Sequence, residues 1–147
     1  MSIENVGMKG SLVLELRDEN GVLKETRRKD NIIVASGFDY ICAQVSGEPS
    51  SAMNYIAVGT GSTTPVTSQT ALVSEVSRAL GTYAHTVGTQ VYTVSTTFEA
   101  GTATAALTEA GVFNSSSAGT MLDRVVFSVI NKGASDTLTA TFQFTLS

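Results

Sequence analysis

The chain has 147 residues, the usual size of one domain, and it can bury an apolar core without metal or disulfide cross-links. Its net charge of −4 argues against a nucleic-acid binder, because such a protein needs a basic surface that releases counterions from phosphate. A single cysteine, Cys42, excludes an intrachain disulfide and a four-thiolate zinc site. The N-terminus lacks the pattern of a signal peptide, and no apolar run is long enough to span a bilayer. We therefore expect a protein made in a cytoplasm, with no membrane and no nucleic-acid partner.

Charge is sparse along the whole chain. Charged residues make up 15% of the sequence, whereas Thr, Val, Tyr and Phe, which favour strands, are frequent. The exposed surface must then be rich in hydroxyl groups rather than charges. Such a surface favours association with neighbouring molecules.

The first nine residues show no clear periodicity and are predicted to form an N-terminal arm, residues 1–9, ahead of a single domain at residues 10–147. Ile3, Val6 and Met8 are spaced so that they could anchor on a neighbouring subunit. The alternative is a frayed terminus with no contact role.

A hairpin is predicted next. Leucines alternate with other residues from Gly10 to Arg17, which is strand periodicity, and Asn20-Gly21 supplies the tight turn into a second strand, Val22 to Thr26. The turn partly resembles a calcium loop, but the chain returns to a strand before a twelfth-position glutamate could occur.

One basic cluster follows the hairpin, at Arg27, Arg28 and Lys29. A strand edge that carries charge to prevent unwanted pairing would explain it. The functional alternative is an electrostatic contact with an acidic patch on another protein.

A short apolar strand at Asn31 to Val34 is predicted to lead into a helix that Ser36 caps and that ends at Val45. Its apolar residues recur at helical spacing and predict a face that covers the sheet. They are Phe38, Ile41, Cys42 and Val45.

The stretch from Asn54 to Ala79 contains a short buried strand, Tyr55 to Val58, followed by a loop with glycines and a proline. The loop lacks the Gly-Lys-Ser/Thr ending of a phosphate-binding loop. A one-turn helix is predicted after it, with Ser68 as N-cap and an apolar face that packs on the strand. That face consists of Ala71, Leu72, Val73 and Val76.

The remainder reads as strands separated by short turns. They are predicted at Val76 to Thr86, Thr89 to Glu99, Leu107 to Phe113, Met121 to Ile130 and Leu138 to Leu146. Strict alternation is clearest in the last of them. The sequence therefore predicts a mainly β fold, an antiparallel β-sandwich or jelly roll with one or two short helices.

Candidate catalytic groups are few. His85 is the only histidine and lies within a predicted strand, where a structural role is the usual one. Four carboxylates in the β region could form an acid/base pair of the glycosidase type only if two of them met in space. They are Glu99, Glu109, Asp123 and Asp136. We predict a protein that is not an enzyme, with no catalytic, cofactor or metal site.

Several short motifs occur in order along the chain. They are Asn31 to Val34 with Gly37 and Ile41; Ile56 to Gly61; Thr70 to Leu72 with Glu75 and Arg78; and Glu109 to Phe113 with Met121, Leu122 and Arg124. In this order and spacing they resemble a class of small virion proteins of tailed bacteriophages and prophages. The resemblance covers about Val22 to Ser147. It departs at Val73 and Ser74, where such proteins often carry Gly and a small residue.

The resemblance implies a non-enzymatic structural protein of the virion, assembled in the host cytoplasm. Proteins of this kind act either as capsid decoration (cement) proteins, which bind the major capsid protein, or as tail fibre or baseplate components. We favour decoration because the chain reads as one compact domain without fibrous repeats. A homotrimer would suit shell sites of local three-fold symmetry.

A carbohydrate-binding module is a remote alternative, since β-sandwiches often present sugar sites. Such sites usually stack aromatic rings on the sugar, and this chain has no Trp. Its four tyrosines fall in predicted helices and strands rather than in loops. They are Tyr40, Tyr55, Tyr83 and Tyr92.

Overall fold

A computed structural model describes residues 7–147 and shows a mainly antiparallel β fold. Within that range it has one helix and nine strands. They are β1 (Met8–Arg17), β2 (Leu23–Ile33), α1 (Ala35–Val45), β3 (Tyr55–Gly59), β4 (Glu75–Leu80), β5 (Thr82–His85), β6 (Val91–Phe98), β7 (Ala105–Phe113), β8 (Met121–Lys132) and β9 (Thr137–Leu146). The predicted mainly β fold with a short helix is confirmed.

The strands form a sheet in the order β4-β3-β7-β8-β2-β1-β9-β6-β5. β2 joins its two halves, because it pairs with β1 along most of its length and with β8 only through Ile32 and Ile33. At the other side β4 continues through Gly81 directly into β5, so the two end strands are neighbours in the chain. The sheet is therefore nearly closed and encloses the core in the manner of a sandwich.

The main core lies between the two halves. On β9, Leu138, Ala140, Phe142 and Phe144 are fully buried, and the leucines of β1 face them across the β1–β9 pairing. The alternation predicted for the last strand is thus confirmed for these four residues. Leu146, predicted on the same face, is 46% exposed because it lies at the open end of the fold.

The N-terminal part differs from the prediction in two respects. β1 begins at Met8, so Met8 and Lys9 belong to a strand that pairs with β9 rather than to an arm. β2 is one strand of 11 residues, which includes both the basic cluster and most of the apolar segment predicted as a separate strand. Pairing with β1 holds this polar stretch extended.

The helix α1 is present, but its predicted cap and packing face are wrong. Ser36 lies inside the helix, and its hydroxyl donates to the carbonyl of Met121 at 2.9 Å instead of capping. The buried helical residue is Gly37, where a Cβ would lie 2.3 Å from the carbonyl oxygen of Leu122. Because the helix packs through this glycine, Ile41 is only half-buried and the other predicted face residues are exposed. Those exposed residues are Phe38, Cys42 and Val45.

The one-turn helix predicted after Ser68 does not form. Residues 60–74 run as a loop without helix or strand, and Leu72 is the buried apolar side chain of the predicted face. Leu72 belongs to a second, smaller apolar cluster with Ala57 and Phe113. Ala57 on β3 and Phe113 on β7 are each next to residues of the main core in the same strand. Because successive side chains of a strand alternate between faces, Ala57 and Phe113 point to the opposite face of the sheet. The loop therefore covers the outer face of β3, β7 and β8.

No helix among residues 7–147 combines the length and the apolar character needed to cross a bilayer.

Candidate functional site

The loop of residues 60–74 is held to the sheet by one buried carboxylate. Glu109, on β7, accepts hydrogen bonds from the backbone N–H groups of Gly61 at 2.8 Å, Val73 at 2.9 Å and Ser74 at 2.7 Å. The side chain is fully buried. A carboxylate that receives three amides from both ends of a loop fixes that loop, and we call this arrangement the loop clamp.

Arg124, on β8, completes the clamp. Its Nε donates to Glu109 Oε1 at 2.9 Å, and its Nη1 donates to the carbonyl of Thr63 at 2.7 Å and to the side chain of Gln69 at 3.1 Å. Burial would raise the pKa of Glu109, but the backbone amides and the Arg124 guanidinium outweigh it and lower the pKa below its ordinary value. Glu109 is therefore held as a carboxylate whose partners lie within the fold, whereas Nη2 of Arg124 is buried and has no hydrogen-bond partner among the described residues.

Gly61 is required by the same geometry. A Cβ at this position would lie 2.5 Å from Glu109 Oε2 and 2.6 Å from the Cβ of Val73. The loop approaches the carboxylate this closely only because Gly61 has no side chain.

Arg78, on β4, fixes a neighbouring turn. Its guanidinium pairs with Glu75 at 2.6 Å and donates to the carbonyls of Ser115 and Ala118 at 3.0 and 2.8 Å. It also lies 3.7 Å from the ring centroid of Phe113, within range of a cation–π interaction.

The polar motif members Arg78, Glu109 and Arg124 thus support loops on this side of the sheet. Apolar members of the same motifs, such as Ile56 and Leu122, belong to the main core on the other side.

The candidate carboxylates do not form an acid/base pair with Glu109. Arg124 contacts Glu109, and Asp123 is the adjacent residue of the same strand, so its side chain points to the opposite face. Burial raises the pKa of Asp123 well above its ordinary value, although its Oδ1 accepts the N–H of Val112 at 3.0 Å. This acid is an interior group whose charged form is disfavoured by burial.

The other candidates lie apart from the clamp. His85 is exposed on β5, and its Nδ1 lies 2.7 Å from the carbonyl oxygen of Val91. Asp136 accepts from the side chain of Lys24 and from the N–H of Gly133. Within the part of the chain that the structure describes, no group of three or more His, Cys, Asp or Glu residues is arranged to hold a metal ion.

The predicted interface residues differ in their structural environments. Ile3 and Val6 lie outside the described residues, and Met8 is half-buried at the start of β1. In the basic cluster, Arg27 bridges the gap between β2 and β8, donating to the carbonyls of Ser128 and Val129 at 3.2 and 2.9 Å. Arg27 thus has a structural role. Arg28 and Lys29 are exposed and remain candidates for a contact.

An apolar cavity that the sequence analysis missed lies at the end of the fold where the described chain begins and ends. It has a volume of about 380 Å³. Its walls include Tyr40 from α1, Tyr83 from β5 and Tyr92 from β6, together with Met8 and Leu146. Tyr83 and Tyr92 lie on the paired neighbouring strands β5 and β6, whereas Tyr40 comes from α1, far earlier in the chain. Only the placement of the helix brings all three together.

The hydroxyl groups of two of these tyrosines form hydrogen bonds within the fold. The hydroxyl of Tyr40 donates to the carbonyl of Ser51 at 2.9 Å, and that of Tyr92 donates to the carbonyl of Met53. Burial raises the pKa of both phenols, so both remain protonated donors. At Tyr40 and Tyr92 the cavity therefore presents ring surface rather than hydroxyl groups, and its other lining residues are mostly apolar. Such a lining suits an apolar group better than a sugar.

Comparison of this chain with known protein families, with curated proteins and with solved structures finds no match.

Proposed function

We propose that the chain is a non-enzymatic structural protein of a bacteriophage virion, and that it acts as a capsid decoration protein. Its partner is then the major capsid protein, to which it binds after the shell has assembled. Cofactors have no part in this function.

The observation that carries the proposal is that three of the sequence motifs contact one another. Gly61 donates to Glu109, which pairs with Arg124, and Arg78 lies over the ring of Phe113. Three motifs that resemble those of virion proteins thus share one structural unit. The unit stabilises a surface loop and offers no reactive group, as suits a binding protein.

The mechanism is stabilisation by mass action. A protein that binds the assembled shell but not free subunits adds its binding free energy to the assembled state. Many copies each contribute a modest amount, and the affinity depends on a few central contacts rather than on contact area. The exposed Arg28 and Lys29 would serve as electrostatic contacts at the edge of such an interface.

Self-association is part of the proposal. A homotrimer matches shell sites of local three-fold symmetry, and the low charge of the chain, 15% of its residues, favours contact between copies.

The alternative is a tail fibre or baseplate adaptor, which differs in copy number. Quantitative gel analysis of purified virions separates the two. Decoration requires on the order of hundreds of copies per particle. A count of a few dozen or fewer would overturn decoration and favour the adaptor.

A further inference from the structure

A groove on the outer surface of the sheet combines polar side chains with an exposed aromatic ring. It has a volume of about 580 Å³, which is the size of a ligand site. Residues of β1, β2 and β9 line it, together with residues of α1 and of the loop of residues 60–74. We call it the outer groove and define it by Ser11, Arg28, Asp30, Phe38, Thr67 and Gln143.

Three polar side chains of the outer groove form one row across the sheet. Ser11 on β1 pairs with Asp30 on β2 and with Gln143 on β9. The next residue of β1, Leu12, is buried in the main core, so this row faces outward. A hydroxyl, a carboxylate and an amide therefore offer hydrogen-bond donors and acceptors side by side.

The charged side chains of the outer groove are not paired with one another. Lys9, Arg28 and Asp30 line it, and none of them takes part in the ion pairs found among residues 7–147. Two cations and one carboxylate nearly balance in charge. The lining therefore offers polar contacts without favouring a strongly charged ligand.

Phe38 adds an apolar surface to this polar lining. It is 45% exposed, whereas the other five phenylalanines of the chain are buried. A ligand that covers this ring would remove apolar surface from water. An aromatic side chain offers a flat face for that contact.

The sheet beneath the outer groove cannot bind a peptide by strand addition. β1 pairs with β2 and β9, and β9 pairs with β1 and β6, so both strands have neighbours on each side. Strand addition requires an open edge. A ligand of the groove is therefore recognised through side chains, by groups that donate and accept hydrogen bonds.

We propose that the outer groove binds a neutral oligosaccharide. A sugar ring carries C–H groups on its faces, which suit Phe38, and hydroxyl groups at its edge, which both donate and accept hydrogen bonds. The row of Ser11, Asp30 and Gln143 supplies matching partners. The loop clamp contributes by holding the loop that carries Thr67 beside the groove. This site is independent of capsid decoration and uses a phenylalanine rather than the tyrosines.

A glycan array tests the proposal with the full chain. The array carries neutral and anionic oligosaccharides, and the bound protein is detected through an affinity tag. We expect saturable binding to at least one neutral oligosaccharide. Absence of binding to every neutral glycan would overturn the proposal. Binding confined to anionic glycans would overturn it as well, because attraction to Lys9 and Arg28 would then explain the signal.

Matched substitutions on α1 locate the contact with the ring. Phe38→Ala should weaken binding of the neutral glycan with the strongest array signal at least tenfold. Val45→Ala removes an exposed apolar side chain from the same helix outside the groove, and it should leave binding unchanged. Equal binding by the two variants would show that the glycan does not contact Phe38.

A second pair tests the polar row. Gln143→Ala should weaken binding of the same glycan at least fivefold, whereas Gln44→Ala, at an exposed position outside the groove, should leave it unchanged. Thermal unfolding of each variant verifies that it is folded. If Gln143→Ala and Gln44→Ala bind equally well, the glycan binds elsewhere and the assignment of the outer groove is wrong.

Discussion

Glu109 and Arg124 form an ion pair of 2.9 Å between β7 and β8 with both side chains fully buried. Removing two charges from water is costly, and here three backbone amides and two further acceptors compensate part of the cost, while Nη2 of Arg124 has no partner among the described residues. The pair therefore stabilises the loop of residues 60–74 only as a complete set. Removal of one member leaves the other charged and without its partner.

Glu109→Gln should lower the free energy of unfolding by about 3 to 5 kcal/mol, because Arg124 would keep its charge in a buried site. The new amide would also place a donor where backbone N–H groups now donate. Urea denaturation measures the loss, and limited proteolysis should show earlier cleavage within residues 60–74.

Glu15→Gln is the matched control, since Glu15 pairs with Arg17 on the half-exposed surface of β1. We expect it to cost less than about 1 kcal/mol. Equal effects of the two substitutions would contradict the role assigned to the clamp.

Asp123 and Glu109 should give stability opposite dependences on pH. The pKa of Glu109 is lowered in the fold, so its contribution is present above its ordinary value of 4.5 and is lost as the pH falls through the folded pKa. The pKa of Asp123 is raised, so its contribution is full below its ordinary value of 3.8 and is lost as the pH rises through the folded pKa.

Asp123→Asn should therefore remove the loss of stability that occurs as the pH rises. Asparagine keeps an oxygen that can accept the N–H of Val112 but does not ionise. Urea unfolding from pH 4 to pH 8 should show a stability advantage for the variant that grows as the pH rises. Asp39→Asn, on the exposed side of α1, is the control for loss of one carboxyl group. A difference from wild type that does not change with pH would contradict a raised pKa of Asp123 in the fold.

Phe142→Ala should destabilise the fold by about 3 to 5 kcal/mol, because the ring is fully buried and packs near Phe144 with 6.0 Å between ring centroids. Gln143→Ala is the control on the neighbouring, exposed position. Thermal or urea unfolding measures both. A loss below about 1 kcal/mol at Phe142 would show that the inner face of β9 is wrongly assigned.

The strands could be predicted from the sequence, because the apolar residues of a strand with one buried face recur at every second position. β9 shows this most clearly, since Leu138, Ala140, Phe142 and Phe144 alternate with threonines and a glutamine. The order of the strands in the sheet could not be predicted from this periodicity. It depends on pairings between distant segments, such as β1 with β9.

The predicted helix after Ser68 shows why local patterns can mislead. Ala71, Leu72 and Val73 have the spacing of an apolar helix face, yet the N–H groups of Val73 and Ser74 bind a carboxylate that lies 36 and 35 residues further along. That contact is not visible locally. A glutamate inside an apolar strand, as at Glu109, is a sequence signal that indicates a buried polar contact, although it does not identify the partner.

The cavity was missed for a related reason. Each of Tyr40, Tyr83 and Tyr92 was predicted to lie in a helix or strand rather than in a loop, which argued against a sugar site built from these rings. The pairing of β5 with β6 and the placement of α1 bring the three rings to one end of the fold. The amino-acid composition alone could not predict that these three rings lie at the same end of the fold.

The most direct test of the proposed function is co-sedimentation of the purified protein with capsid shells that lack it and carry no tail. The decoration proposal predicts saturable binding, with one trimer at each site of local three-fold symmetry. Absence of binding under salt conditions in which the protein is folded would contradict decoration and would make the tail or baseplate adaptor the leading proposal.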